Sequence, residues 1–72
     1  MRQEVLAEMV ANVWKIVAAA REPISEGDTI CILESMKMEI PVEAPVGGTL
    51  AEVRVVEGGT VQEGDVIAVI EQ

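Results

Sequence analysis

Residues 25–34 read S-E-G-D-T-I-C-I-L-E, and residues 62–71 read Q-E-G-D-V-I-A-V-I-E. Gly27 and Gly64 stand 37 residues apart, and the same displacement carries the match along the chain without a gap. Val5 falls on Val42, Ala7 on Ala44, Ile16 on Val53, Ile24 on Val61 and Glu34 on Glu71. Self-similarity at a fixed period marks a repeated structural unit. Each half is too short to fold alone, so the repeat implies two equivalent halves around one shared core.

The repeat resolves a conflict between helix and strand. Leu6, Met9, Val10, Val13 and Val17 recur at three- and four-residue steps, which by itself reads as an amphipathic helix over 3–20. The equivalent stretch 41–56 reads P-V-E-A-P-V-G-G-T-L-A-E-V-R-V-V. Pro41, Pro45, Gly47 and Gly48 do not fit a helix interior. Equivalent halves therefore make the first half extended too. Residues 50–56 alternate, predicting Ala51, Val53 and Val55 inward with Glu52 and Arg54 outward. The matching inward set is Trp14, Ile16 and Ala18, with Lys15 outward. Strands are also expected at 29–34, 39–43 and 66–71, and at about 4–8. Glu-Gly-Asp precedes both 29–34 and 66–71, where glycine permits positive φ and aspartate can bond nearby backbone. Strands recurring this often predict an all-β sandwich or barrel.

Composition narrows the function classes. A 72-residue chain is one small domain, here residues 1–72, with no linker or low-complexity stretch. Cys31 is the only cysteine and there is no histidine, so neither an internal disulfide nor a zinc site is expected. With 50% hydrophobic residues but Trp14 the only aromatic, the core must be aliphatic. Five basic against 13 acidic residues give a net charge of −8. That argues against nucleic acid and against anionic membrane surfaces. No stretch approaches the roughly 20 apolar residues of a membrane span, and the N-terminus lacks a secretory pattern. A lone cysteine then suits a reducing cytoplasm.

Between strands 29–34 and 39–43 the chain reads E-S-M-K-M-E over 34–39, which fits a tight hairpin with its tip at Met36-Lys37. Two-residue hairpin loops want positive φ at both centres and favour Asn-Gly. Met-Lys breaks that preference, and a local rule broken at one place often marks function. The bland alternative is a tolerated tip, with a solvated lysine and two methionines folded over the sheet edge.

E-S-M-K-M-E-I-P-V-E-A-P-V-G-G-T-L resembles the attachment sequence of the biotinyl/lipoyl domain family, and Gly47-Gly48 and Glu63-Gly64-Asp65 match its later turns. The resemblance spans about Val5 to Glu71. It implies a flattened barrel of two four-stranded antiparallel sheets with an internal pseudo-two-fold, which agrees with the repeat. It also implies a free-standing biotin carrier without catalytic residues, whose Lys37 on the hairpin tip carries covalent biotin. A biotin protein ligase would acylate Lys37 from biotinyl-AMP. The carrier would then move carboxylate between a biotin carboxylase and a carboxyltransferase. Glu34, Ser35, Met36, Met38 and Glu39 flank the attachment site. The methionines either pack on the tip or meet a partner; the glutamates are either solvated strand ends or a recognition feature for basic ligase residues.

The chain departs from the family pattern in places. Glu8 and Ala11 replace a usual Pro and Gly, Arg21-Glu22-Pro23 replaces the first Gly-Asp turn, and Ser35 stands where Ala is usual. The loops near 8–12 and 20–24 are therefore left open. The ungapped repeat leaves no room for the extra "thumb" loop that some biotin carriers fold over their cofactor. Lipoyl domains share the fold but usually have Asp before the lysine, so Met36 and Met38 favour biotin over lipoate, with a dual biotin/lipoyl acceptor as an alternative. A third reading is an unmodified small β adaptor.

Overall fold

A computed structural model describes all 72 residues, Met1–Gln72. There is no helix. The chain forms β1 (Arg2–Leu6), β2 (Ala11–Ile16), β3 (Pro23–Ile24), β4 (Thr29–Ser35), β5 (Met38–Glu43), β6 (Gly48–Val53), β7 (Thr60–Val61) and β8 (Val66–Glu71). They build two four-stranded antiparallel sheets, of order β5-β4-β2-β7 and β1-β8-β6-β3. We call them the tip sheet and the terminal sheet. The helical periodicity of residues 3–20 is overridden, because tertiary pairing offers these residues a complete hydrogen-bond ladder and a buried face.

The two sheets obey the 37-residue repeat pair by pair. Leu33 lies opposite Ile40 in the tip sheet, and Ile70 opposite Gln3 in the terminal sheet. Asn12 opposite Glu34 is matched by Thr49 opposite Glu71. Even the irregularities recur: a bulge between Val13 and Lys15 has its counterpart between Leu50 and Glu52. Six residues, 17–22, join β2 to β3 and six, 54–59, join β6 to β7, so neither half carries an inserted loop.

The bulges correct one expectation. An extra residue in one strand shifts the alternation of inward and outward side chains. Val13 and Leu50 are therefore the buried residues at this level, while Trp14 is 49% exposed and not inward as the simple alternation predicts. Beyond the bulge the expected pattern returns, with Ile16, Ala18, Val53 and Val55 packed on the core. The predicted strand 50–56 begins earlier and ends at Val53, and the first strand is 2–6 rather than 4–8.

Both halves feed one aliphatic core centred on Ile30, Leu50, Ile67 and Ile70, all fully buried. No charged side chain is buried and no buried polar side-chain atom lacks a partner. Cys31 is buried in this core as a free thiol, and burial pushes its pKa up to about 11.

The two Glu-Gly-Asp turns anchor the sheets. Asp28 Oδ2 accepts from the Ser25 amide at 2.9 Å, and Asp65 Oδ2 from the Gln62 amide at 2.8 Å. Gly27 and Gly64 take φ of 90° and 91°, which a side chain would resist. Each glycine amide then donates to the facing strand, Gly27 to the Ala44 carbonyl and Gly64 to the Ala7 carbonyl, both at 2.9 Å. The loop around 20–24, where the glycine is missing, keeps the same shape regardless: Arg21 adopts φ 73°, close to the 86° of its repeat partner Gly58.

Candidate functional site

The β4–β5 hairpin combines aliphatic with polar side chains, Ile30, Ile32 and Leu33 in β4 and Ile40 and Val42 in β5. Leu33 enters the core, and Ser35 opposite Met38 closes the ladder. Two residues remain for the reversal. Met36 and Lys37 take φ of 52° and 68°, the double positive φ of a type I′ turn. Left-handed backbone costs an L-residue roughly 1–2 kcal/mol. The chain thus holds two unsuitable residues in a turn that asparagine and glycine would enter readily. The strain persists because the paired strands and the clamped base at Asp28 and Ala44 over-determine the tip, a pattern common at functional sites.

Lys37 is exposed, and no side-chain hydrogen bond or salt bridge engages it; the ion pairs of this protein join Arg2, Glu52, Arg54 and Glu71. Met36 and Met38, on either side, are 92% and 65% exposed. They do not fold back over the sheet edge, so the packing role left open for them is not observed. Ser35 is half-buried at the end of β4. Glu34 and Glu39 lie directly opposite each other, both exposed. Like charges in cross-strand register are unfavourable. The equivalent pair in the terminal sheet is Glu71 and Arg2, which form a salt bridge at 3.2 Å. All six residues singled out in sequence are thus gathered at one end of one hairpin. What the arrangement can do chemically is limited and clear. It offers one primary amine, projected on a stiff tip, with nothing crowding it. An acyl group on that nitrogen would meet solvent, so a long carboxylic acid in amide linkage fits. No group of three or more His, Cys, Asp or Glu is placed to hold a metal.

Residues 4–70 match the family described as "Biotin-requiring enzyme". The chain belongs to this family. Among its relatives, the "Biotinylated protein TB7.3 homolog" of Mycobacterium leprae is 49% identical over 70 residues, covering 97% of this chain and 99% of that one. The "Biotin/lipoyl attachment protein" of Bacillus subtilis is 47% identical over 60 residues, covering 83% of this chain and 82% of its own. In three dimensions the chain superposes on the urea carboxylase of Kluyveromyces lactis with a TM-score of 0.92 at 32% identity. That match takes in 99% of this chain but 6% of the carboxylase. Family members of this size thus occur both alone and as a small part of a large enzyme.

Sequence reasoning located the tip but not what surrounds it. The exposure of Trp14 was missed, since a bulge leaves no mark in hydrophobic alternation. Its only trace is that the alternation fails to reconcile Val13 with Trp14.

Proposed function

We propose that this protein is a biotin carrier whose Lys37 is the attachment residue. The observation that carries this reading is the unpaired, exposed Lys37 at the tip of a strained two-residue hairpin, between Met36 and Met38. A rigid hairpin fixes the amine before any partner arrives, so little ordering entropy is lost on encounter. The amine must be neutral to attack an acyl donor, and no side chain of this chain bonds to it as a base would. A biotin protein ligase therefore supplies the base or the desolvated pocket. Amide formation takes the formal charge from −8 to one unit more negative.

Biotin supplies, when attached, a ureido nitrogen that accepts and releases carboxylate. The chain's own part is presentation, and we assign the catalytic steps to a biotin carboxylase and a carboxyltransferase. Tethering makes each later encounter effectively intramolecular, with effective concentrations of about mM for flexible links. The relatives named for biotin, and the likeness to a domain within a carboxylase, support this assignment. We place the protein in the cytoplasm on its single, unpaired Cys31. A second reading, lipoate on Lys37, is favoured only by the joint name of the Bacillus relative.

Intact mass of protein from its native cells tests the assignment. A biotin increment that disappears in Lys37→Arg is the expected result. A lipoyl increment would replace the cofactor, and labelling that maps to Lys15 would refute the site.

A further inference from the structure

The pseudo-two-fold allows the outer faces of the two sheets to be compared position by position. On the terminal sheet one cross-strand row is Glu52, Val69 and Glu4. Val69 alternates with inward Ala68 and Ile70, so it points outward, yet it is 2% exposed. Charged side chains close over it. Arg2 bonds Glu52 at 2.7 Å and Glu71 at 3.2 Å, and Arg54 reaches Glu52 at 3.4 Å. These contacts cover Val69, although Leu6 at the end of β1 stays 48% exposed on the same face.

The equivalent row on the tip sheet is Lys15, Ile32 and Pro41. Ile32 lies between buried Cys31 and Leu33 and so points outward; it is half-buried and is not among the side chains packed on the core. Trp14, the extra residue of the bulge, stands beside Lys15 and is half exposed, and Val17, where the other sheet has Arg54, is 52% exposed. No salt bridge crosses this face. Toward the tip the next row is Asn12, Glu34 and Glu39, with its two carboxylates uncompensated. The same fold, in the same register, thus covers the Glu52–Val69–Glu4 row with ion pairs and leaves Trp14, Ile32 and Pro41 uncovered around Lys15, with an acidic border leading to Lys37.

We propose that this face, Lys15–Ile32–Pro41 with Trp14, is the surface on which the enzyme that acylates Lys37 docks; the proposal rests on the acceptor reading of Lys37. Charge and reach choose the occupant. A second copy of this chain would bring the same carboxylates against Glu34 and Glu39. A partner with an apolar centre and a basic border complements them. Carboxylase components meet a cofactor at the end of a long flexible arm and can work at a distance from the domain. The acylating enzyme must take the lysine amine itself into its active site. A short side chain forces its surface onto whatever flanks the hairpin. Half-exposed tryptophan beside aliphatic side chains is the usual composition of an interface anchor.

A transplant tests this. Trp14→Ala, Lys15→Glu, Ile32→Val and Pro41→Glu together copy onto the tip sheet the residues of the terminal sheet at the same register positions. The read-out is biotinylation by a purified biotin protein ligase, resolved into KM for the carrier and kcat, with thermal unfolding to confirm the fold. The expected result is a KM raised about tenfold or more, with kcat nearly unchanged. Glu4→Gln on the terminal sheet should leave both constants as they were. If the fourfold variant does not fold, Trp14→Ala alone, at an exposed position, should still raise KM about threefold. A wild-type KM in the folded variant, with Lys37→Arg unlabelled, overturns the docking face alone. Labelling that persists in Lys37→Arg overturns the acceptor reading and the docking face together.

Discussion

The hairpin tip and the place where the chain ends meet are the same site, seen twice. Ser35 beside Met38 in the tip sheet corresponds, 37 residues on, to Gln72 beside Met1 in the terminal sheet. There the two ends hold each other by backbone bonds alone: the Gln72 amide donates to the Met1 carbonyl at 2.8 Å, and the Met1 amine to the Gln72 carbonyl at 3.3 Å. At the tip, Met36 and Lys37 join the two strands in a left-handed turn. The tip also has opposed glutamates where its counterpart has an arginine–glutamate pair. The strand pairing and an exposed methionine are common to both ends; the left-handed turn and the opposed carboxylates belong to the tip. The residues that stabilise can therefore be told from those that serve another purpose, because the molecule carries its own control.

The sharpest way to break the comparison is to lengthen only the tip. One residue inserted between Met36 and Lys37 destroys the two-residue turn and should cut ligase-catalysed labelling roughly a hundredfold, the order expected for misplacing a reacting group by about 1 Å. A bulky domain fused to Met1 or Gln72 should leave labelling near the wild-type rate. Equal losses in both would mean that the ends are not equivalent to a site remote from the chemistry.

A second test uses the matched pair Gly48 and Ala11. Gly48 has φ 155°, and a Cβ there would collide with the Glu71 carbonyl oxygen. Gly48→Ala should lower stability by about 1–3 kcal/mol, as overpacking does. Ala11→Gly, at the equivalent position, should cost only about 0.5–1 kcal/mol. Urea midpoints at constant slope would report both.

Replacing Met36-Lys37 by Asn-Gly should stabilise the protein by about 1–2 kcal/mol, since both new residues accept positive φ, while removing the acceptor. Unchanged stability would show that the tip holds no strain. The smallest effect is expected from Glu39→Arg, which copies Arg2 and creates a cross-strand ion pair. It should add about 0.2–1 kcal/mol at low salt and lose that gain in high salt. The neighbouring Arg54–Glu52 contact has a pH signature. Arg54, and then Arg2, hold the Glu52 carboxyl below the usual carboxylate range. Its contribution is present above the unfolded carboxylate's pKa and disappears as pH falls through the lowered folded value.

Much of this fold can be read without coordinates, for a definite reason. The repeat converts an ambiguous first half into a constrained one, because Pro41, Pro45 and the paired glycines exclude helix in its partner. Glu-Gly-Asp is legible because its aspartate bonds backbone three residues away, a purely local act. Lys37 is legible because the hairpin length is set by the strands on either side. What escaped was non-local. The bulge at Trp14 exists because β2 must meet β4 and β7 in register at once. Arg21 takes a glycine's conformation because Leu50 and its neighbours hold the loop by backbone bonds.

The sequence by itself determined the two-fold plan, the strands, the aliphatic core and the lysine at the turn. Periodicity, turn chemistry and chain length act through neighbours along the chain, and each leaves its mark there. Tertiary structure alone decided which central row is covered by ion pairs and which is not. Arg2, Glu52, Arg54 and Glu71 lie far apart along the chain and become one network only when β1, β6 and β8 pair. Trp14 faces solvent only because a bulge, set by pairing with a strand about 20 residues away, shifts the alternation.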